Sequence, residues 1–310
     1  MTANVLFAGG DRRWPVYETP LRRALDRAGV DVHLATDIPP EEVDYIVTTP
    51  DSAVQDFTPF TRARAVLNLW AGVENIVTNP TLDLPLARMV DHSLTQGMVE
   101  WVTGHVLRHH LGMDTHILHQ DGVWRSGIPP LATDRQISVL GLGALGSACA
   151  RMLGTLGFAV TGWSRRPKAI DGVRCVSGAD GLDTALAGAE ILVLLLPLTP
   201  ETDSLLDAAR LARLPERAVI LNPGRGPLID DDALLATLDA GHLRHATLDV
   251  FREEPLPPEH PFWAHPGVTV TPHIASETRP ETAAEVIAEN IRRGETGEPF
   301  LHLVDRVAGY

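Results

Sequence analysis

Cysteine is nearly absent from this chain, with only Cys149 and Cys175 among 310 residues and no CxxC spacing. That excludes a disulfide scaffold and a thiolate zinc site. Excess positive charge is missing as well: 40 acidic against 26 basic residues leave a formal net charge of −14. Bulk attraction to nucleic acid or to an anionic membrane is not expected, so any anionic ligand must be held by a local basic cluster. Long apolar runs are also lacking, and the longest, ILVLLLPL at 191–198, is far too short to span a bilayer. The opening MTANVLFAGGDRR lacks the pattern of a secretory signal, and a cytoplasmic location is the expectation. No repeat of solenoid period and no low-complexity tract occurs.

What is present is an alternating rhythm, in a chain that is 44% hydrophobic and long enough for two ordinary cores. NVLFAGG (4–10) reads as a strand and PVYETPLRRALDRAG (15–29) as a helix ending at Gly29. VDVHLAT (30–36), VDYIVTTP (43–50) and RAVLNLW (64–70) read as further strands, rich in β-branched and apolar residues. A long helix is expected from Gly97 to Gln120, with Met98, Val102 and Val106 on one face and Leu107 and Leu111 beside them. GVWRSGIPPLATDRQ (122–136) has the glycine and proline density of a loop. A second set of short buried-strand patterns follows: ISVLGLG, FAVTGWS, ILVLLLP, AVILNPG, ATLDVF and VTVTP, interleaved with helical ones such as DDALLATLDAG. Two α/β modules are the simplest reading. The terminal helix, 277–297, could pack on either; the division adopted is 1–96 with 280–310, and 97–279.

The second set begins with chemistry. In ISVLGLGALG (137–146), a buried strand runs into Gly141-x-Gly143-x-x-Gly146, and a helical stretch follows. The first glycine permits a tight turn and the second lets backbone approach a pyrophosphate. The third lets the helix pack on the strand, with its N-terminal N–H groups aimed at phosphate. Glycines alone are weak evidence; strand, turn, helix and strand together point to dinucleotide binding. An NAD site usually places an acid about 20 positions on. Here the next strand ends GWSRRPK, and Ser164, Arg165 and Arg166 stand where a carboxylate is missing. A hydroxyl and two guanidiniums suit a dianionic 2′-phosphate, so NADP(H) is the expected cofactor and NAD(H) the alternative.

Three polar residues follow strand ends of the same module: Arg225 in NPGRGP, Glu254 in DVFREEPL and His273 in TPHIA. In a doubly wound sheet, ligands collect beyond the carboxyl ends of strands. Only the fold can bring these three together.

The set GLGALG, PLTPET, NPGRGPLID, LDVFREEPL and TPHIA resembles the D-isomer-specific 2-hydroxyacid dehydrogenase family, and most of all its glyoxylate/hydroxypyruvate reductase A branch. The terminal VDRVAGY is similar to that branch, and LNLWAGVENI carries a looser likeness in the first third. The resemblance implies two Rossmann/flavodoxin-like, doubly wound parallel-sheet domains with a cleft between them. The first would bind substrate and the second the dinucleotide.

It also implies roles. Arg225 would hold the substrate carboxylate through its guanidinium fork, and His273 would protonate the keto oxygen as hydride arrives. Glu254, rather than its neighbour Glu253, would hydrogen-bond the imidazole and favour its charged form. Asp249 would face the nicotinamide amide. Pro197, Leu198 and Thr199, with Asn222, Pro223 and Gly224, would line the cofactor groove; Met98, Ala144, Leu145 and Thr202 are further expected cofactor contacts. Trp70, Ala71 and Gly72 would meet the substrate carboxylate. The family more often has glycine at the position of Trp70 and aspartate at that of Glu74, so Trp70 could narrow the pocket in favour of small acids or turn away into packing.

Other features read more plainly. His105 and His109 have a spacing able to hold a metal, but HVLRH lacks the glutamate of a zinc-protease helix and no third ligand is evident, so no metal is expected. His110, His116 and His119 read as helix-surface or subunit-contact residues, Cys149 as a small buried one, and EEPLPPEHP as a proline-rich loop. The helix carrying the histidines resembles the family's dimerisation arm, which implies a homodimer, although its apolar face is equally compatible with ordinary core packing. The resulting expectation is an NADPH-dependent reductase of small 2-oxo acids, glyoxylate or hydroxypyruvate. One rival is an NAD-linked D-2-hydroxyacid dehydrogenase, disfavoured by the missing acid after GW. Formate oxidation is disfavoured by Pro272, where a glutamine would be expected. Another rival is a non-catalytic, nucleotide-sensing binding protein, disfavoured by the intact Arg/Glu/His set.

Overall fold

The alternating apolar runs become two all-parallel sheets in a computed structural model, which describes residues 2–306, 308 and 309. Val307 and Tyr310 of the VDRVAGY stretch lie outside the described residues. The chain forms two compact units, Met1–Leu94 with Glu277–Tyr310, and Thr95–Ser276.

The first unit carries β1 (Ala3–Phe7), β2 (Val32–Ala35), β3 (Tyr45–Thr48), β4 (Ala65–Asn68) and a two-residue edge strand, β5 (Leu86–Ala87). Their spatial order is β2-β1-β3-β4-β5, reversing direction between β1 and β3. In such sheets a ligand can sit between the loops that follow those two strands; here a two-pronged pair between Arg13 and Asp51 (2.9 and 3.1 Å) bridges them. Helix α1 (Trp14–Ala28) ends at Gly29, whose φ of 68° is a left-handed cap. A short α2 (Glu74–Val77) follows β4.

The helix expected over 97–120 starts earlier and breaks: α3 spans His92–His110 and α4 Met113–Leu118. Gly112, at φ 64°, turns the chain between them. Met98, Val102 and Val106 are buried as the periodicity required, but Leu111, next to the break, is 38% exposed.

The second unit holds β6 (Gln136–Leu140), β7 (Ala159–Ser164), β8 (Arg174–Ser177), β9 (Ile191–Leu194), β10 (Ala218–Asn222), β11 (Leu243–Leu248) and β12 (Val268–Val270). Helices α5 (Ala144–Thr155), α6 (Gly178–Ala187), α7 (Ala208–Leu211) and α8 (Asp231–Asp239) alternate with them. The order β12-β11-β10-β9-β6-β7-β8 is that of a dinucleotide-binding sheet with one extra strand, and it reverses between β6 and β9. Its central strands are buried on both faces, which explains their unbroken apolar runs.

The last helix, α9 (Pro280–Thr296), belongs to the first unit. Its Ala283, Ala284, Ile287, Ala288 and Ile291 pack with Tyr17, Leu21, Ala24 and Leu25 of α1 against one sheet face. Leu21 and Ile291 are fully buried, each stabilising the unit by about 1.5–3 kcal/mol.

Candidate active site

The glycine turn between β6 and α5 has three distinct constraints. Gly141 sits at φ 102°, and a Cβ there would lie 2.4 Å from the Leu195 carbonyl oxygen. A Cβ on Gly146 would lie 1.8 Å from the carbonyl oxygen of Gly141, so the helix can approach the strand only without a side chain. Gly143, the N-cap of α5, would meet nothing within 4 Å. It is exposed, as is Ala144, with Leu145 half-buried in the first helical turn. The open face of the turn thus lies at the N-terminus of α5, where the backbone N–H groups end without a side-chain cap. These residues fit a dinucleotide pyrophosphate.

At the end of β7, Arg165 and Arg166 are exposed, while Ser164 is buried and its hydroxyl donates to the Arg166 carbonyl at 2.7 Å. Ser164 therefore shapes the basic turn. Lys168, unremarked in the sequence reading, places its ammonium on the Leu142 carbonyl inside the glycine turn. The signal was a single cation near the motif, too common to single out.

His273, Glu254 and Arg225 converge. His273 Nδ1 lies 2.7 Å from Glu254 Oε2, and Glu254 Oε1 accepts the Phe251 N–H at 2.9 Å. Glu253 is exposed and does not replace it in this pair. The bond to Glu254 raises the His273 pKa above its ordinary 6.5, against an opposing desolvation. Burial pushes Glu254 up, yet the His273 bond, the Phe251 N–H and the charges of His273 and Arg225 hold its carboxyl below the usual range. Arg225 is near enough to lower the pKa of both partners. Its Nη1 donates to the Gly224 carbonyl at 2.6 Å. His273 has φ 54°, an unusual conformation for a residue with a Cβ, costing about 1–3 kcal/mol. Its N–H is held by the carbonyls of Asp249 (2.9 Å) and Thr271 (3.0 Å).

Several expected cofactor contacts have nearer employment in the loops. Asp249 is fully buried; Oδ1 accepts from the Thr271 hydroxyl (2.6 Å) and Ile274 N–H (2.9 Å), and Oδ2 from Ala275 N–H (2.9 Å). It builds the turn that presents His273. Asn222, 1% exposed, donates to the Arg225 carbonyl (2.9 Å) and accepts from Gly224 N–H (3.1 Å), shaping the arginine loop that also contains Pro223. The Thr202 hydroxyl bonds Pro197 O and Thr199 N–H, both at 2.8 Å, and so sets the turn around Pro197, Leu198 and Thr199. Met98, expected near the cofactor, is 6% exposed and packs in the core with Val102 and Val106.

In the first unit, Trp70 follows β4. The Arg13 guanidinium lies over its ring, 5.0 Å from the centroid, and Asn68 donates to the carbonyls of Trp70 and Gly72, both at 2.8 Å. Ala71, between them, is half-buried.

The histidines of α3 and α4 divide. His116 and His119 are exposed, but His110 is 6% exposed and packs edge-on against Phe158, so it is a core residue and not a surface one. His105 packs against Trp101 with the rings tilted and their centroids 4.3 Å apart. His109 bonds the Thr247 hydroxyl at 2.9 Å and packs, tilted, against the His245 ring. Cys149 is fully buried, and that burial raises its thiol to about 12.

A parallel sheet of dinucleotide-binding order, its glycine turn and a paired histidine at strand ends define a nucleotide-dependent oxidoreductase. The family model for the NAD binding domain of D-isomer specific 2-hydroxyacid dehydrogenases matches residues 104–275. A glyoxylate/hydroxypyruvate reductase A from Yersinia enterocolitica is 41% identical over 255 residues, 80% of this chain and 82% of the relative. A D-isomer specific 2-hydroxyacid dehydrogenase from Xanthobacter autotrophicus Py2, solved with NADPH and MES, superimposes with a TM-score of 0.93 at 42% identity over the whole of both chains. An NADPH-dependent glyoxylate/hydroxypyruvate reductase from Sinorhizobium meliloti, solved with NADP and sulfate, gives 0.84 at 37% identity over 100% of this chain and 99% of that one. The chain belongs to the D-isomer specific 2-hydroxyacid dehydrogenase family.

Proposed function

We propose that this enzyme uses NADPH to reduce small 2-oxo acids, glyoxylate and hydroxypyruvate foremost, to the 2-hydroxy acids. The observation that carries the proposal is the His273–Glu254 pair with Arg225 beside it, at strand ends of the sheet that bears the glycine turn. NADPH fits the open face at Gly143, Ala144 and Leu145, with Arg165 and Arg166 for the 2′-phosphate; the relatives solved with NADPH and NADP support that choice. When bound, the reduced nicotinamide supplies the hydride.

The chain's own residues do the rest. Arg225 pairs with the substrate carboxylate and draws electron density toward the carbonyl oxygen. His273, kept protonated by Glu254, gives its Nε2 proton to that oxygen as it becomes an alkoxide. The neutral ring left behind is reprotonated from water, which reaches it because its side chain is 53% exposed. Asp249, Asn222 and Thr202 act as positioning groups in this scheme, with cofactor contact a further role carried over from the family pattern. Trp70, Ala71 and Gly72 are retained as substrate contacts on the same ground.

A homodimer is also proposed. Ile117, Leu118, Val123, Trp124, Ile128 and Leu131 are all more than 60% exposed, a run of apolar surface that a second copy would cover. Light scattering after size exclusion tests it, and a monomer at micromolar concentration would refute it. For the activity, a panel of 2-oxo acids is mixed with NADPH or NADH and followed at the nicotinamide absorbance. Absence of turnover with every acid would sink the proposal. Among the described residues, no helix is long and apolar enough to cross a membrane.

A further inference from the structure

Arg252 lies in the loop after β11, two residues before Glu254. Its guanidinium joins three separate loops. Nη2 donates to the Ile229 carbonyl at 2.7 Å and the Pro227 carbonyl at 3.2 Å, both just beyond Arg225. The same nitrogen reaches the Ser204 hydroxyl at 2.9 Å, and Nη1 reaches Asp203 at 3.4 Å. Asp203 and Ser204 follow the turn that Thr202 sets. Ser204 is itself held at φ 50°, with its N–H on the Pro227 carbonyl at 2.7 Å.

A second contact runs beside this strut. A Cβ on Gly226 would lie 2.0 Å from the Phe251 carbonyl carbon, so the two loops touch backbone to backbone. Phe251 N–H in turn fixes Glu254 Oε1. Beyond the β10–β11 ladder and the Asp249 N–H on the Asn222 carbonyl (3.0 Å), the loops of Arg225 and Glu254 are held together by the steric contact of Gly226 on Phe251 and the polar tie of Arg252 on Pro227 and Ile229.

We infer that Arg252 is a positioning residue for the reaction: it clamps the loop of Glu254 onto the loop of Arg225 and thereby aligns the His273 ring with the carboxylate clamp. Its own side chain is 37% exposed, so the pairs with Asp203 and with Asp231 (3.9 Å) add little stability by themselves. The carbonyl bonds carry the geometry: one guanidinium nitrogen, held in the plane of its group, reaches Pro227 and Ile229 together. The catalytic consequence rests on the function proposed above.

The test uses the full-length protein with Arg252→Ala and Arg252→Lys. Misplacement of the clamp by a fraction of an ångström should lower kcat/KM for glyoxylate roughly ten- to a hundred-fold in Arg252→Ala. The His273 titration, followed by NMR through the imidazole signal that disappears in His273→Gln, should fall toward the ordinary 6.5 as Glu254 is loosened. Loss of a nearby cation alone would move that titration upward, so the sign separates positioning from simple charge. Arg252→Lys should lie between wild type and Arg252→Ala. Arg213→Ala, which removes a surface arginine paired with Asp183, should alter neither reading. A His273 titration that stays put or rises in folded Arg252→Ala overturns the inference, as does kcat/KM within about twofold of wild type. Should Arg252→Ala not fold, the same two readings on Arg252→Lys decide. A wild type that reduces no 2-oxo acid refutes the proposed function, and the titration then judges Arg252 alone.

Discussion

His273 Nδ1 and Glu254 Oε2 stand 2.7 Å apart, although 19 residues separate them in the chain. The bond raises the histidine pKa, so reduction should be fastest below that raised value, where the ring is protonated, and should decline above it. Glu254→Gln removes the charge and should shift the declining limb of the kcat/KM profile to lower pH. His273→Gln should lose about 10²–10⁴-fold in kcat, the usual share of a general acid. The stability sign follows the same pair. Its contribution is complete below the ordinary histidine value of 6.5 and is lost as pH rises through the raised one. It is also lost in acid, as pH falls through the lowered pKa of Glu254. A wild-type-minus-Glu254→Gln difference in Tm that persists unchanged into strong alkali would contradict this.

Arg225→Lys keeps the charge and loses the fork. A charge-assisted hydrogen bond is worth about 1.5–3 kcal/mol, so kcat/KM for a 2-oxo acid should fall roughly ten- to a hundred-fold. NADPH affinity, read by fluorescence, should hardly change. Equal losses in both would remove the substrate role.

Gly143→Ala and Gly146→Ala should behave oppositely. The first adds a methyl to open space at φ −70°, so Tm should hold while KM for NADPH rises. The second drives a methyl into the Gly141 carbonyl at 1.8 Å and should lower Tm by several degrees or prevent folding. Unimpaired cofactor binding in Gly143→Ala would dislodge the pyrophosphate from this turn.

The basic corner is tested by Arg165→Ala/Arg166→Ala, with Ser164 left in place to hold the turn. The ratio of kcat/KM for NADPH over NADH should fall by one to two orders of magnitude, on the order of one or two lost charge-assisted bonds. A double variant with the wild-type ratio would show that the discrimination lies elsewhere.

Acid stability should depend on His109 and His245. Burial lowers them to about 3 and about 4, so both stay neutral in the folded unit while the unfolded chain protonates below 6.5. Stability should therefore fall as pH drops from 6.5 toward those values, by up to about 1.4 kcal/mol per pH unit for each. His245→Gln should flatten that slope in a Tm-versus-pH series. An identical slope would assign the acid sensitivity to other groups.

Much of the second unit was readable in one dimension because its signals are local. A strand running into three glycines spaced for a turn and a helix is decided by backbone sterics within ten residues, and Gly141, Gly143 and Gly146 occupy the places their spacing implied. The strands β5 and β8 escaped notice for the converse reason: two and four residues at a sheet edge carry too little pattern. The break at Gly112 was present as a residue but outweighed by the apolar period on either side. His110 looked exposed because its helix face could not be judged without knowing that Phe158 packs there.

By itself the amino-acid sequence determined which elements form and which side chains they offer: two sets of alternating strands and helices, a glycine turn between strand and helix, and an arginine, a carboxylate and a histidine after strand ends. Those follow from period, sterics and side-chain type. Only the tertiary structure decided who meets whom. It set Glu254, and not Glu253, on His273, turned Asp249 into the scaffold of the histidine loop, and sent α9 back to α1. It also made Arg252, one charged residue among many in the sequence, the tie between the loops of Arg225 and Glu254. Contacts between residues tens of positions apart depend on strand order and loop packing, and neither is encoded in any short stretch of chain.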